Sequence, residues 1–188
     1  MKSATLDKLE AFEKEAKKAR KPRLYLRRLS PLHYHWHRQV KRRVGFLLFH
    51  WHVIEHFRAV RLDREMSIQA DTRADFNPGG RFKNAHWDAT MAGVPDSKSL
   101  HDLVDYSQSV EGWHNEAHMV IGDVTGLDMM DAKANVFFPE FWGLHFFINE
   151  RFEEQLGAYA RAAGLASKKA AAIVARIEDE HPGTVSRI

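Results

Sequence analysis

The chain has no cysteine among its 188 residues. That absence excludes a disulfide framework, thiolate metal ligands and a cysteine nucleophile, so any transition metal must be held by imidazole and carboxylate. Long apolar runs are missing as well. No stretch approaches the roughly 20 residues of a membrane-spanning helix. The segment Met1–Lys8 is charged and amphipathic, without the apolar core of a secretory leader, and a cytoplasmic protein with no membrane partner is expected. No solenoid-type repeat is visible, and the length suits one domain, 1–188, with a core over about 30–156.

Net charge is small but unevenly spread. Residues 1–43 hold 14 Lys and Arg against 4 Asp and Glu, whereas residues 44–188 hold 14 against 21, so a basic front precedes an acidic remainder. A run such as Lys17-Lys18-Ala19-Arg20-Lys21-Pro22-Arg23 has the charge to bind nucleic acid, yet no nucleic-acid module accompanies it. The expected role is a solvated helix end docking on the chain's own acidic part.

What is abundant is histidine, twelve in all. His33 and His37 are four apart, and His50 follows in Phe46-Leu47-Leu48-Phe49-His50. His114 and His118 repeat that spacing, and His145 follows in Phe141-Trp142-Gly143-Leu144-His145. On a helix, residues i and i+4 stack on one face, so each pair can aim two imidazoles at one ion while a third arrives from a neighbouring helix. A lone pair of this kind is most often ordinary packing. Two pairs with two trailing histidines in aromatic surroundings are harder to explain that way, because every buried imidazole needs a hydrogen-bond partner or an ion.

Periodicity predicts helix over 4–20, ending at Lys21-Pro22, and Ser30-Pro31 reads as an N-cap and first-turn proline opening a helix to about Arg43. Gly45 reads as a turn, and Phe46 to about Met66 as one long helix. Residues 67–97, with Asn77-Pro78-Gly79-Gly80 and Pro95, read as a long loop able to cover a site. Helix is expected again from near Ser99 to about Gly122, from Pro139 to Leu156, and over 158–178, with a loop at 123–137. The fold class is therefore all-α: a four-helix bundle core holding a binuclear metal site, extra N- and C-terminal helices and one long loop.

Neutral imidazoles suit copper, zinc, iron or nickel, with copper highest in intrinsic affinity. A carboxylate-bridged iron site would repeat Glu-x-x-His on paired helices, which this chain does not do. Zinc has its own motif here, since His52-Val53-Ile54-Glu55-His56 matches H-x-x-E-H, two zinc ligands flanking a general base, and would make the protein a zinc hydrolase.

These residues together resemble the type-3 copper proteins: tyrosinases, catechol oxidases, arthropod phenoloxidases and hemocyanins. His114-Asn115-x-x-His118, followed by Pro139-x-Phe141-Trp142-x-Leu144-His145-x-x-Ile148-Asn149, is similar to the family's second-copper region. Phe138 and Asn149 stand where that pattern has aspartate. His33-Tyr34-His35-Trp36-His37 resembles the His-Trp-His-Trp-His run of hemocyanins, with the outer histidines as ligands. Phe46–His50 resembles the stretch before the third ligand, though the separation from His37 is shorter than in the family, so that His52 or His56 is an alternative to His50. The likeness spans roughly 30–60 and 110–156.

The resemblance implies two copper ions, bound by His33, His37 and His50 and by His114, His118 and His145. It implies dioxygen as co-substrate, with ortho-hydroxylation of monophenols or oxidation of o-diphenols to quinones. It further implies that Asn115 and a nearby glutamate hold a basic water. Glu111, in Glu111-Gly112-Trp113, is the candidate base partner, with Asp105 or Glu116 as alternatives. An oxidase of aminophenols or aryl amines, or a dioxygen-binding protein without turnover, would share these motifs. A copper-delivery partner fits any of these readings.

Overall fold

A computed structural model describes residues 4–38, 45–66, 68, 91, 93–167 and 169–181. Helix α1, Ala4–Ala19, turns Leu6, Leu9 and Ala16 inward against α2 and α3. It stops where Arg20 enters the left-handed region at φ 53°, and the Lys21 N–H then reaches back 3.1 Å to the Ala16 carbonyl. Such a reversal satisfies carbonyls that the last helical turn leaves open. The basic run is partly neutralised by the chain itself: Lys17 pairs with Glu13 at 2.6 Å and Arg23 with Glu65 at 2.7 Å.

Helix α2, Arg23–Arg38, differs from expectation at its start. Ser30-Pro31 does not open it; Pro31 lies inside it, and the Ser30 hydroxyl donates to the Lys133 carbonyl at 2.7 Å instead of capping. An interior proline costs about 3 kcal/mol. Against that stand the fully buried Tyr25, Leu26 and Leu29 of the preceding two turns, each contributing about 1.5–3 kcal/mol by burial. Packing outweighs the proline. The expected end near Arg43, and the segment 39–44, lie outside the described residues.

Helix α3, Gly45–Ala59, buries Phe46 through Trp51 in one unbroken run and then Val53, Ile54 and Phe57, so it is hydrophobic nearly all round. A helix of that kind must be central. It packs against α1, α5 and α6. Gly45 is its first residue rather than a separate turn. The single helix expected to about Met66 is interrupted, because Arg61 takes φ 62° and only the short α4, Leu62–Glu65, follows. Most of the long loop expected over 67–97 lies outside the described residues.

Helix α5, Leu100–Thr125, begins with Ser99 as N-cap: the Ser99 hydroxyl accepts from the Asp102 N–H at 3.2 Å, and the Asp102 carboxylate accepts from the Ser99 N–H at 2.9 Å. It runs almost a turn beyond the expected Gly122 and is closed by Gly126 at φ 73°. Gly122 has a different reason to lack a side chain, since a Cβ there would meet the Leu127 carbonyl at 3.2 Å. After a short 3₁₀ turn at Asn135–Phe137, α6 runs Pro139–Ala162. It passes the expected stop at Leu156 because Ala158, Tyr159 and Ala160 still face the core. Gly164 at φ 65° ends that direction, and α7, Ala170–Glu180, packs back on α6.

The protein is all-α, with no strand among the described residues and no helix of theirs long and apolar enough to cross a membrane. The six candidate ligands sit on α2, α3, α5 and α6, while α1 and α7 are the flanking helices. One contiguous buried cluster runs from Leu6 to Ile177. The register of α5, and hence of His114 and His118, starts from its cap. Ser99→Ala is expected to lower stability by about 1 kcal/mol, read as a lower urea midpoint at unchanged slope.

Candidate metal centre

Five of the six predicted ligands are buried: His33, His50, His114, His118 and His145 are each at most 4 % exposed, and His37 is half-buried. Burial of this depth holds His50, His114 and His145 well below the ordinary histidine pKa, with the neighbouring histidines as the next cause, and lowers His118 to about 4. At neutral pH these four rings are uncharged. A neutral imidazole has one N–H to place and one lone pair to offer.

The N–H is placed on carbonyl oxygen. Nδ1 of His33 lies 2.9 Å from the Ala132 carbonyl, that of His50 2.8 Å from Phe46, that of His118 2.6 Å from Met129, and that of His145 2.7 Å from Phe141. Nδ1 of His114 lies 3.3 Å from the side-chain oxygen of Asn115. An oxygen of this kind only accepts, so each Nδ1 carries the proton and each Nε2 is left with its lone pair. Oriented histidine ligands are held in this manner, the far nitrogen donating to a carbonyl or carboxylate.

The lone pairs converge. His33, His37 and His50 offer ring nitrogens within 4.8 Å of one another, and so do His50, His114 and His145. Nε2 of His37 is 3.0 Å from that of His33, and Nε2 of His114 is 3.1 Å from that of His145. Two nitrogens each about 2.0–2.1 Å from a single ion, at an angle of about 90–110°, stand roughly 2.9–3.4 Å apart. The observed spacings fall in that range, and for His37 and His33 also in that of an N–H···N hydrogen bond. His114 and His145 make the point sharply, because both donate through Nδ1 and would otherwise face lone pair to lone pair. Nε2 of His50 and of His118 are buried with no hydrogen-bond partner, at a cost of about 1–3 kcal/mol each unless an ion takes them up.

The two sets adjoin. The rings of His50 and His145 are 4.8 Å apart between centroids and those of His37 and His114 6.3 Å, nearly parallel at 6°. The first expected set is therefore brought together as read. The second is not brought together as read: His114 and His145 meet directly and the His118 ring stands 4.2 Å from that of His114, but the third nitrogen within 4.8 Å of theirs is that of His50, not of His118. Phe141 is the shared wall, stacked on His145 at 3.9 Å and edge-on to His33 at 5.3 Å and His118 at 5.9 Å.

No protein-family model, curated protein or solved structure matches the chain.

The remaining candidates fall on either side of this cluster. Asn115 is exposed beside His114, and Glu111 is half-buried one turn before it on the same face of α5. His52 and His56 turn away: His52 meets Glu178 of α7 at 2.6 Å, and His56 meets Glu13 of α1. Glu55 pairs with Arg58 at 2.8 Å. Among the described residues neither histidine belongs to a group of three able to hold an ion, and the third position of the first set goes to His50. Asn149 is buried and donates to Glu153 at 2.9 Å, where Trp51 also donates at 3.2 Å.

Sequence reasoning did not find the anchors, and no side-chain signal marks them because they are main-chain carbonyls. For the metal-free protein the low histidine pKa values have a definite consequence. Above pH 6.5 both folded and unfolded chains keep these rings neutral, whereas below it the unfolded chain gains protons that the folded one refuses. Stability is then expected to fall by a few kcal/mol as pH drops from about 6.5 towards 4, the window set by His118. Urea midpoints across that range, measured with a chelator present, give the slope; a flat profile would contradict neutral buried histidines.

Proposed function

We propose that the six histidines hold two copper ions, and that the protein is a tyrosinase-like oxidase using dioxygen to hydroxylate monophenols or oxidise o-diphenols to quinones. The observation carrying this reading is the convergence of Nε2 lone pairs whose Nδ1–H groups are already committed to oxygen acceptors. Donor chemistry favours copper. The ligand groups contain imidazole alone, without the carboxylates that iron, manganese or magnesium sites draw on. Six neutral ligands also leave the metals' charge uncompensated, which suits a centre that attracts phenolate and oxygen anions. When bound, the copper pair would supply dioxygen binding and the two-electron oxidation of the phenol.

The chain's own residues supply the rest. Phe141, Phe49 and Trp36 exclude water from the first set: Trp36 stacks on Phe49 at 4.0 Å and stands edge-on to His37 at 5.1 Å and His50 at 5.3 Å. Asn115 holds the His114 proton on Nδ1 from the solvent side. Glu111, one turn away, would take a phenol proton through water.

Metal analysis of the purified, copper-reconstituted protein is expected to give two copper ions per chain. His118→Ala is expected to leave one, because its Nε2 has no other partner. One zinc per chain, lost with His52→Ala or His56→Ala and kept in His114→Ala, would replace this reading with the hydrolase.

The chemistry has its own test. Glu111→Gln is expected to lower monophenol hydroxylation by about 10²–10⁴-fold while sparing catechol oxidation, since catechols lose their protons more easily. Equal losses on both substrates would mean damaged copper binding instead. Reversible dioxygen binding with no turnover of phenols, catechols or aminophenols would identify a carrier.

A further inference from the structure

One short segment touches both halves of the centre. Between the end of α5 and the 3₁₀ turn, the chain from Leu127 to Ala134 offers the Met129 carbonyl to Nδ1 of His118 and the Ala132 carbonyl to Nδ1 of His33. The two-metal reading assigns His118 to the second set and His33 to the first. The two carbonyls are three residues apart. The other anchored histidines are held differently, His50 and His145 by carbonyls four residues back in their own helices and His114 by its neighbour Asn115.

The segment is itself pinned. Asn135, 3 % exposed, donates from its side-chain amide to the same Met129 carbonyl at 3.2 Å. Ser30 donates to the Lys133 carbonyl at 2.7 Å, next to Ala132. Asp131 folds the middle: its carboxylate accepts from the Lys133 N–H at 2.8 Å, and its carbonyl accepts from the Ala134 and Asn135 N–H groups, both at 2.9 Å. Gly122 lets the Leu127 backbone pass close over α5 at the start of the segment.

Resting on the two-metal reading above, we propose that 127–134 is a positioning strap that orients one ligand of each metal set, with Asn135 as positioning residue for His118, Ser30 for His33 and Asp131 for both. The strap couples the sets. A carbonyl that shifts by a few tenths of an ångström turns the imidazole it holds, and with it the direction of the Nε2 lone pair. Because Asp131 sets the turn between the two carbonyls, a change there reaches both histidines, whereas changes at either flank reach one.

The test uses the full chain with ¹⁵N-labelled histidine, first metal-free and then titrated with copper ions. In the wild type, Nδ1–H resonances of His33, His118, His50 and His145 are expected to exchange slowly. Asp131→Ala is expected to speed exchange at His33 and His118 together and to weaken copper binding at both sites by roughly 10–100-fold, while Asp131→Asn, which keeps an acceptor, restores both. Ser30→Ala is expected to affect His33 alone and Asn135→Ala His118 alone. His50 and His145, held within their own helices, serve as internal references.

If all four resonances loosen equally in every variant, the effect is general destabilisation and the strap is refuted. Copper titrations unchanged in Asp131→Ala would refute it as well. Should Asp131→Ala not fold, the paired single-sided variants decide the matter alone. A wild type that shows the selective exchange pattern but binds no copper would overturn the metal reading and leave the strap as a coupler of the two histidines.

Discussion

The placement of one proton on each buried imidazole governs the rest of this structure. A ring at most 4 % exposed cannot be charged at modest cost, so it stays neutral, and its single N–H must find an acceptor. Here that acceptor is an oxygen at Nδ1 for five of the six histidines. Fixing the proton on one nitrogen fixes the lone pair on the other. The inward direction of Nε2 therefore follows from the backbone around the site, before any ion enters. An apolar shell of Phe141, Phe49 and Trp36 then keeps those lone pairs from finding water.

The helices can be understood from that requirement. His50 and His145 draw on carbonyls one turn back, Phe46 and Phe141, which only a continuous helix places at 2.7–2.8 Å. Helix α3 must then lie at the centre, because it carries His50 and is apolar on nearly every side. His33 and His118 do not use their own helices in this way and are held by the chain between α5 and α6. Buried Nε2 atoms without partners oppose folding by a few kcal/mol in total, and the large aromatic core, with Trp142 stacked on Phe57 at 3.7 Å, offsets that cost.

Most of the helical architecture was legible in the sequence, and so was the gathering of the histidines. The i, i+4 pairs and the trailing residues His50 and His145 announce shared faces, and apolar spacing announces the helices that bear them. The failures have physical causes. Ser30-Pro31 has the local chemistry of a helix start, but Tyr25, Leu26 and Leu29 are driven inward by tertiary packing that local chemistry does not contain. Arg61 breaks α3 from α4 in a left-handed conformation that no glycine advertises. The motif His52–His56 looked like a metal pair, yet its partners Glu178 and Glu13 lie far away in sequence and on opposite flanking helices. The Met129 and Ala132 carbonyls belong to no residue type and were invisible for that reason.

Among the six histidines His37 alone is half-buried, and its ring lies nearly parallel to that of His114, whose neighbour Asn115 is exposed. The least buried of the six rings and the junction between the two sets thus lie together. Glu111 stands one turn from Asn115 along the same face of α5. On the proposed reading, a phenol would approach both metals beside His37 and Asn115 and lose its proton through water to Glu111, while burial keeps the remaining rings neutral.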